Sequence, residues 1–86
     1  MIVSGAVQGV GYRYTARLIA REIGVSGWVR NLRDGTVEAE VEGSTDQVDE
    51  MLAWMAEGPP GSRVAAAQVA DIPAVSGSGF EVRDST

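Results

Sequence analysis

Two stretches of the chain space their apolar residues as amphipathic helices do. From Tyr12 to Ile23 apolar residues recur every three or four positions, and Gly24 stands where a helix commonly ends. The second stretch opens on Ser44-Thr45-Asp46-Gln47, a capping-box sequence, and ends at the Gly- and Pro-rich segment 57–61. The pattern therefore predicts two helices, each with one apolar face directed at a core.

The remaining apolar residues cluster or alternate as in β-strands. Predicted strands cover residues 1–6, 25–31, 36–42, 64–72 and 80–82. Asp34-Gly35 predicts a tight hairpin between the second and third of them. In the third strand three glutamates alternate with apolar residues, which favours a solvated outer face over a metal site. A flexible loop, Ser76-Gly77-Ser78-Gly79, is predicted before the last strand.

The order of these elements is β-α-β-β-α-β followed by a short terminal strand. It predicts the α+β class and a ferredoxin-like split β-α-β sandwich, with both helices on one face of a mainly antiparallel sheet. Residues 1–86 are expected to form a single domain, because the chain is too short to bury a second core. In this fold the loop after the first strand lies at one end of the sheet, close to the strand that carries Asn31.

Composition narrows the chemistry that is available to the chain. It has no cysteine and no histidine, which excludes disulfides, thiol catalysis, His-ligated zinc and Ser-His nucleophiles. No apolar run is long enough to span a membrane, so a cytoplasmic protein is expected. The net charge of −5 argues against general nucleic-acid binding. A monomer is the simplest expectation for a domain of this size.

The loop between the first strand and the first helix is the candidate binding site. Gly9 and Gly11 allow positive φ angles and a close approach of the backbone to a ligand. The N–H groups at the start of the helix and its dipole favour an anion, and Arg13 in the first turn can hold two oxygens of a phosphate or carboxylate. A tight turn without a ligand is the alternative interpretation. A P-loop is excluded, because the chain has no lysine.

Three segments in order along the chain resemble the acylphosphatase family. They are Val7-Gln8-Gly9-Val10-Gly11-Tyr12-Arg13, Gly27-Trp28-Val29-Arg30-Asn31 and Asp34-Gly35-Thr36-Val37-Glu38, and the resemblance continues to Phe80-Glu81-Val82-Arg83. The family has the same ferredoxin-like fold that the element order predicts. Position 12 is tyrosine where phenylalanine is common in the family, so its hydroxyl needs a partner if it is buried.

The resemblance implies hydrolysis of acyl phosphates to a carboxylate and inorganic phosphate, with no metal and no cofactor. The family's catalytic arginine and asparagine fall on Arg13 and Asn31. By the same similarity, Arg13 and the backbone N–H groups of the loop bind the phosphoryl group, and Asn31 positions the attacking water. The implied substrate-binding residues are Gln8, Gly9, Val10, Gly11, Tyr12 and Arg13. No segment stands out that would select one acyl group, so loose selectivity for that group is predicted.

Two other functions fit parts of the sequence. A non-catalytic module that binds phosphate or carboxylate could keep the same cradle, as in the acylphosphatase-like N-terminal domain of hydrogenase-maturation proteins. An RNA-recognition sheet of similar topology would need aromatic residues on its central strands and a basic face. The third strand has no aromatic residue and three glutamates, which disfavours the RNA-binding interpretation.

Overall fold

The computed structural model describes residues 1–71 and 79–83, and it confirms the predicted order of strands and helices. In chain order the elements are β1 (Ile2–Ala6), α1 (Tyr12–Ile23), β2 (Ser26–Asn31), β3 (Val37–Glu42), α2 (Thr45–Glu57), β4 (Arg63–Gln68) and β5 (Phe80–Val82). The strands form one sheet in the order β4-β1-β3-β2-β5. Every strand pair is antiparallel except β2–β5, which is parallel.

Both helices pack against one face of this sheet and against each other. The result is the ferredoxin-like α+β sandwich that the alternation of apolar and polar residues predicts. Its core consists of apolar side chains from the sheet and both helices, including two aromatic rings. The buried members are Val3, Val7, Tyr12, Ala16, Ala20, Val25, Val29, Val37, Ala39, Met51, Met55 and Phe80.

The helix boundaries follow from local signals in the sequence. α1 covers the predicted range and ends at Gly24, where φ is 97° and the N–H donates to the Ala20 carbonyl at 2.8 Å. α2 begins with the predicted capping box: the Gln47 N–H donates to the Ser44 hydroxyl at 3.2 Å, and the Ser44 N–H donates to the Gln47 side chain at 2.9 Å. The end of α1 and the start of α2 are therefore each encoded by residues within a few positions of the boundary.

The tyrosine at position 12 joins the two helices. Its ring is buried and lies 5.6 Å from the Trp54 ring, measured between centroids. Its hydroxyl donates to the Met55 carbonyl at 2.5 Å, which supplies the partner that a buried hydroxyl requires. The Met55 carbonyl needs such a donor, because the residue four positions on is Pro59, which has no N–H.

The fourth strand is shorter than predicted, and three other strands begin one residue later than predicted. β4 ends at Gln68 because its register partner is Ile2, the first residue of β1, so no further strand residue lies opposite it. β1 begins at Ile2, β2 at Ser26 and β3 at Val37. The end of the predicted 64–72 strand, and the predicted loop 76–79 apart from Gly79, lie outside the described residues.

Candidate functional site

A cleft of about 250 Å³ lies where the loop after β1, the first turn of α1 and the last residue of β2 meet. The structure thus brings Arg13 and Asn31 together, although they are far apart in the sequence. Two of the predicted loop residues do not line the cleft: Val10 packs against the core, and the Gln8 side chain turns to the β2–β3 hairpin. The lining residues are Val7, Gly9, Gly11, Tyr12, Arg13, Tyr14 and Asn31.

The loop reaches the helix through two glycines in the left-handed conformation. Gly9 and Gly11 both have φ of 76°, a region that favours glycine. A Cβ at either position would meet no atom within 4 Å, so backbone conformation and not crowding favours glycine here. Gly11 is the N-cap of α1 and has no side chain to cap the helix.

The start of α1 therefore presents uncapped N–H groups to the cleft. The first helical hydrogen bond runs from the Thr15 N–H to the Gly11 carbonyl at 3.0 Å, so the preceding N–H groups have no helical acceptor. No acidic residue lies in the first turn. Together with the positive end of the helix dipole, this arrangement favours an anion.

Arg13 adds a positive charge beside the start of α1, and a hydrogen bond holds its side chain in place. Its side chain is half-buried, and Nη1 donates to the Arg83 carbonyl at 3.0 Å. Arg83 is itself held by its N–H, which donates to the Val29 carbonyl of β2 at 2.8 Å. Within residues 1–71 and 79–83 no carboxylate pairs with Arg13, so the other guanidinium donors are available to an anion in the cleft.

Asn31, which lines the cleft from β2, carries an acceptor oxygen that has no hydrogen-bond partner among the described residues. Its Oδ1 is buried and has no hydrogen-bond partner among the described residues. Buried side-chain oxygens are normally hydrogen-bonded, so an unpaired one that lines a cleft calls for a functional explanation. An acceptor oxygen suits the O–H of a water molecule, whereas it repels the oxygens of a phosphate.

Gln8 ties the loop to the hairpin that follows Asn31. Its Nε2 donates to the Leu32 carbonyl at 2.7 Å and to the Thr36 carbonyl at 2.9 Å. The hairpin is also pinned internally, since the Thr36 hydroxyl and N–H both donate to the Asp34 carboxylate. These bonds to Thr36 hold the pKa of Asp34 below its usual value. The Gln8 side chain thus links the loop after β1 to the hairpin that follows Asn31.

Tyr14 lines the cleft although the sequence analysis did not single it out. The residue is 59% exposed. The Arg17 guanidinium carbon lies 5.8 Å from the ring centroid, and its Nε is buried without a partner among the described residues. Only the fold shows that Tyr14 lines the cleft, because its place next to Arg13 in the sequence does not separate a cleft residue from ordinary helix surface.

Among residues 1–71 and 79–83, no three His, Cys, Asp or Glu side chains are grouped so that they could hold a metal ion. Within the same residues, neither helix has the length and apolar character that a membrane crossing needs.

The family model described as Acylphosphatase matches residues 1–82 of the chain. A protein named acylphosphatase from Rubrobacter xylanophilus is 55% identical over 82 residues, which are 94% of this chain and 74% of that protein. One from Bordetella parapertussis is 59% identical over 64 residues, which cover 74% and 68% of the two chains.

Solved structures agree with this relationship. The structure of an acylphosphatase from Coxiella burnetii superposes with a TM-score of 0.91 and 39% identity, covering 95% of this chain and 86% of that one. The crystal structure of acylphosphatase from Bacillus subtilis gives a TM-score of 0.89 and 34% identity, covering 95% and 92%.

The chain also matches a small part of a much larger protein. Full-length HypF, solved in a phosphate- and nucleotide-bound form, superposes with a TM-score of 0.87 and 30% identity over 98% of this chain. The match covers only 11% of the HypF chain. The proteins named acylphosphatase match over most of their own length and at higher identity.

Proposed function

The chain belongs to the acylphosphatase family, and we propose that its cleft hydrolyses acyl phosphates with Arg13, Asn31 and the N–H groups of the 8–13 loop as the working parts. The family activity is hydrolysis of the carboxyl–phosphate bond of small-molecule acyl phosphates. One arrangement carries the assignment of residues. Arg13, which pairs with no carboxylate among the described residues, and the unpaired Asn31 oxygen meet at a helix start that no side chain caps.

The phosphoryl group binds at the helix start. Its oxygens accept hydrogen bonds from the N–H groups at the beginning of α1 and from Arg13, whose planar fork matches two oxygens of a phosphate. Phosphoryl transfer gathers charge on the equatorial oxygens, and donors that are already aimed at them stabilise the transition state. The Arg83 carbonyl holds the guanidinium in place from behind.

Asn31 positions the attacking water. A water that donates one proton to Oδ1 turns a lone pair of its oxygen away from Asn31 and toward the phosphorus. The water oxygen then forms a bond to phosphorus while the bond from phosphorus to the carboxylate oxygen breaks. The water proton passes to a phosphoryl oxygen, so the products are a carboxylate and inorganic phosphate.

The substrate chemistry explains why the site needs no stronger catalytic group. A carboxylate is a good leaving group, so neither a protein nucleophile nor a histidine base is required, and the chain has no histidine. Holding water, phosphorus and leaving oxygen in line accounts for a large share of a rate enhancement. We propose that no metal and no cofactor takes part.

The alternative function is binding of an anion without turnover, and one observation favours hydrolysis over it. Asn31 lines the cleft, and its buried Oδ1 has no hydrogen-bond partner among the described residues, so the side chain offers an acceptor as well as the donors that an anion-binding module uses. That oxygen weakens the binding of phosphate but suits a water molecule. The unpaired Asn31 oxygen therefore supports hydrolysis over binding alone.

Hydrolysis of benzoyl phosphate in the presence of a metal chelator tests this function. We expect steady turnover, with inorganic phosphate as a competitive inhibitor because it occupies the phosphoryl site. Activity that disappears with chelator and returns with a divalent cation would contradict the metal-free mechanism. Phosphate binding without any turnover would favour the anion-binding module instead.

A further inference from the structure

The cleft has an aromatic wall that the hydrolytic mechanism does not use. Tyr14 follows Arg13 in the first turn of α1 and lines the same cleft, while Asn31 lines it from β2. The other aromatic residue of the cleft, Tyr12, is buried and its hydroxyl is bound to the Met55 carbonyl. Tyr14 is therefore the aromatic ring of the cleft that remains open to a ligand.

The Tyr14 ring is supported from one side. The Arg17 guanidinium carbon lies 5.8 Å from the ring centroid, within the range of a cation–π contact. Because Tyr14 is 59% exposed, the contact with Arg17 leaves most of the side chain accessible from solvent. A large apolar surface held beside a polar cleft marks a place where an apolar ligand group gains by leaving water.

The direction of the reaction brings the acyl group to this ring. In an in-line displacement the entering water and the leaving carboxylate stand on opposite sides of the phosphorus. If water is held by Asn31 on the β2 side, the acyl group points away from β2 and toward α1. The first cleft residue beyond Arg13 on α1 is Tyr14.

We propose that Tyr14 forms an acyl-binding subsite that selects acyl phosphates with an aromatic acyl group over those with a short aliphatic one. This inference rests on the proposed function, because it needs the phosphoryl group at Arg13 and the water at Asn31. An aryl ring packs offset or edge-on against Tyr14 and buries apolar area, whereas an acetyl group offers only one methyl to the same surface. The selectivity for the acyl group is therefore less loose than the sequence predicts.

The same helix provides a matched control. Leu18 lies one turn after Tyr14 and is 58% exposed, almost the same as Tyr14, but it does not line the cleft. Replacing Leu18 removes an exposed apolar side chain of α1 without changing the proposed subsite.

The experiment compares kcat/KM for benzoyl phosphate and acetyl phosphate in wild type, Tyr14→Ala, Tyr14→Phe and Leu18→Ala. We expect Tyr14→Ala to lower the benzoyl-to-acetyl ratio roughly three- to tenfold, the size of one aromatic contact. Tyr14→Phe should keep the ratio, because the ring and not the hydroxyl makes the contact, and Leu18→Ala should keep it as well. The inhibition constant of inorganic phosphate, which has no acyl group, should agree within about twofold between wild type and Tyr14→Ala.

The outcomes separate this inference from the proposed function. An unchanged ratio in Tyr14→Ala, or an equal loss with both substrates, would overturn the acyl subsite while leaving the hydrolase intact. An equal fall of the ratio in Leu18→Ala would assign the effect to the helix surface in general and would also overturn it. Absence of turnover with both substrates in wild type would remove the proposed function, and the subsite with it.

Discussion

At the scale of single residues, the Tyr12 hydroxyl shows how one atom stabilises the end of a helix across the core. The Met55 carbonyl lies in the last turn of α2, and Pro59 cannot supply the N–H that a longer helix would have. The hydroxyl from α1 takes the place of that donor. The bond is buried, so water cannot replace it if the hydroxyl is removed.

Tyr12→Phe should therefore lower the free energy of unfolding by about 1–3 kcal/mol, the cost of leaving a buried carbonyl unpaired. Urea unfolding measures the change. The control is Tyr14→Phe, because the exposed Tyr14 hydroxyl has no hydrogen bond among the described residues and its loss should leave the midpoint unchanged. Equal midpoints for wild type and Tyr12→Phe would show that the bond does not stabilise the fold.

The same residue predicts how stability depends on alkaline pH. Burial raises the pKa of the Tyr12 phenol well above its ordinary value. As the pH rises past about 10, Tyr12 loses its proton in the unfolded chain but keeps it in the folded one, so stability falls. Thermal unfolding between about pH 9 and 11 should show a steeper loss for wild type than for Tyr12→Phe. Parallel curves would contradict this assignment.

The sequence could predict the cleft residues only in part. Arg13 and Asn31 were identified through motifs, and the fold brings them to one cleft. The role of the Gln8 side chain could not be predicted, because its acceptors are 24 and 28 residues away and depend on the packing of the loop against the hairpin. Tyr14 was missed because an exposed helical tyrosine has no local signal that separates a cleft wall from ordinary surface.

At the scale of elements, two hydrogen bonds from Gln8 link the loop after β1 to the β2–β3 hairpin, next to the cleft. Gln8 uses both hydrogens of one amide nitrogen to hold two carbonyls of the hairpin that follows Asn31. If these two hydrogen bonds are removed, the Gln8 side chain no longer fixes the position of the loop relative to Asn31. Small errors of position are costly in an in-line reaction.

Gln8→Ala should lower kcat by roughly tenfold or more while it changes phosphate inhibition much less, because water and phosphorus lose their alignment. The control is Gln47→Ala, which removes a glutamine that also bridges elements, from α2 to the Ile23 carbonyl, but lies outside the cleft. Gln47→Ala should lower the melting temperature and leave kcat unchanged. Equal effects of the two substitutions on kcat would mean that Gln8 acts through stability alone.

Element boundaries were predictable where the signal is local. α1 has its predicted range because Gly11 and Gly24 mark its ends and its apolar stripe is regular. The end of β4 was predicted too late, because a strand continues only as far as its neighbour offers a partner, and that partner is Ile2 of β1. Strand ends depend on residues distant in the sequence, which periodicity cannot reveal.

At the scale of the whole molecule, charge is distributed unevenly along the chain. The chain has a net charge of −5, yet residues 1–33 contain five arginines and one glutamate, which gives 5 − 1 = +4. The positive third of the chain includes the loop and Arg13, while acidic side chains prevail in the rest. The local field thus favours a phosphate in the cleft, although the molecule as a whole is acidic.

Inorganic phosphate should stabilise the folded protein, because the cleft exists only in that state. At ten times its dissociation constant, phosphate should add about 1.4 kcal/mol to the free energy of unfolding. For a domain of this size that corresponds to a rise in melting temperature of roughly 5–10 °C. Arg13→Ala should show little of this rise, and an equal rise in both proteins would place the bound phosphate elsewhere.

The central claim is that Arg13 binds the phosphoryl group and Asn31 positions the attacking water, and one set of measurements tests it most directly. The set comprises kcat/KM for benzoyl phosphate and the inhibition constant of inorganic phosphate in wild type, Arg13→Ala and Asn31→Ala, all with chelator present. We expect Arg13→Ala to lose both activity and phosphate binding, and Asn31→Ala to lose activity while phosphate binds as tightly as before or more tightly. Loss of phosphate binding in Asn31→Ala equal to its loss of activity would contradict the assignment of Asn31 to the attacking water.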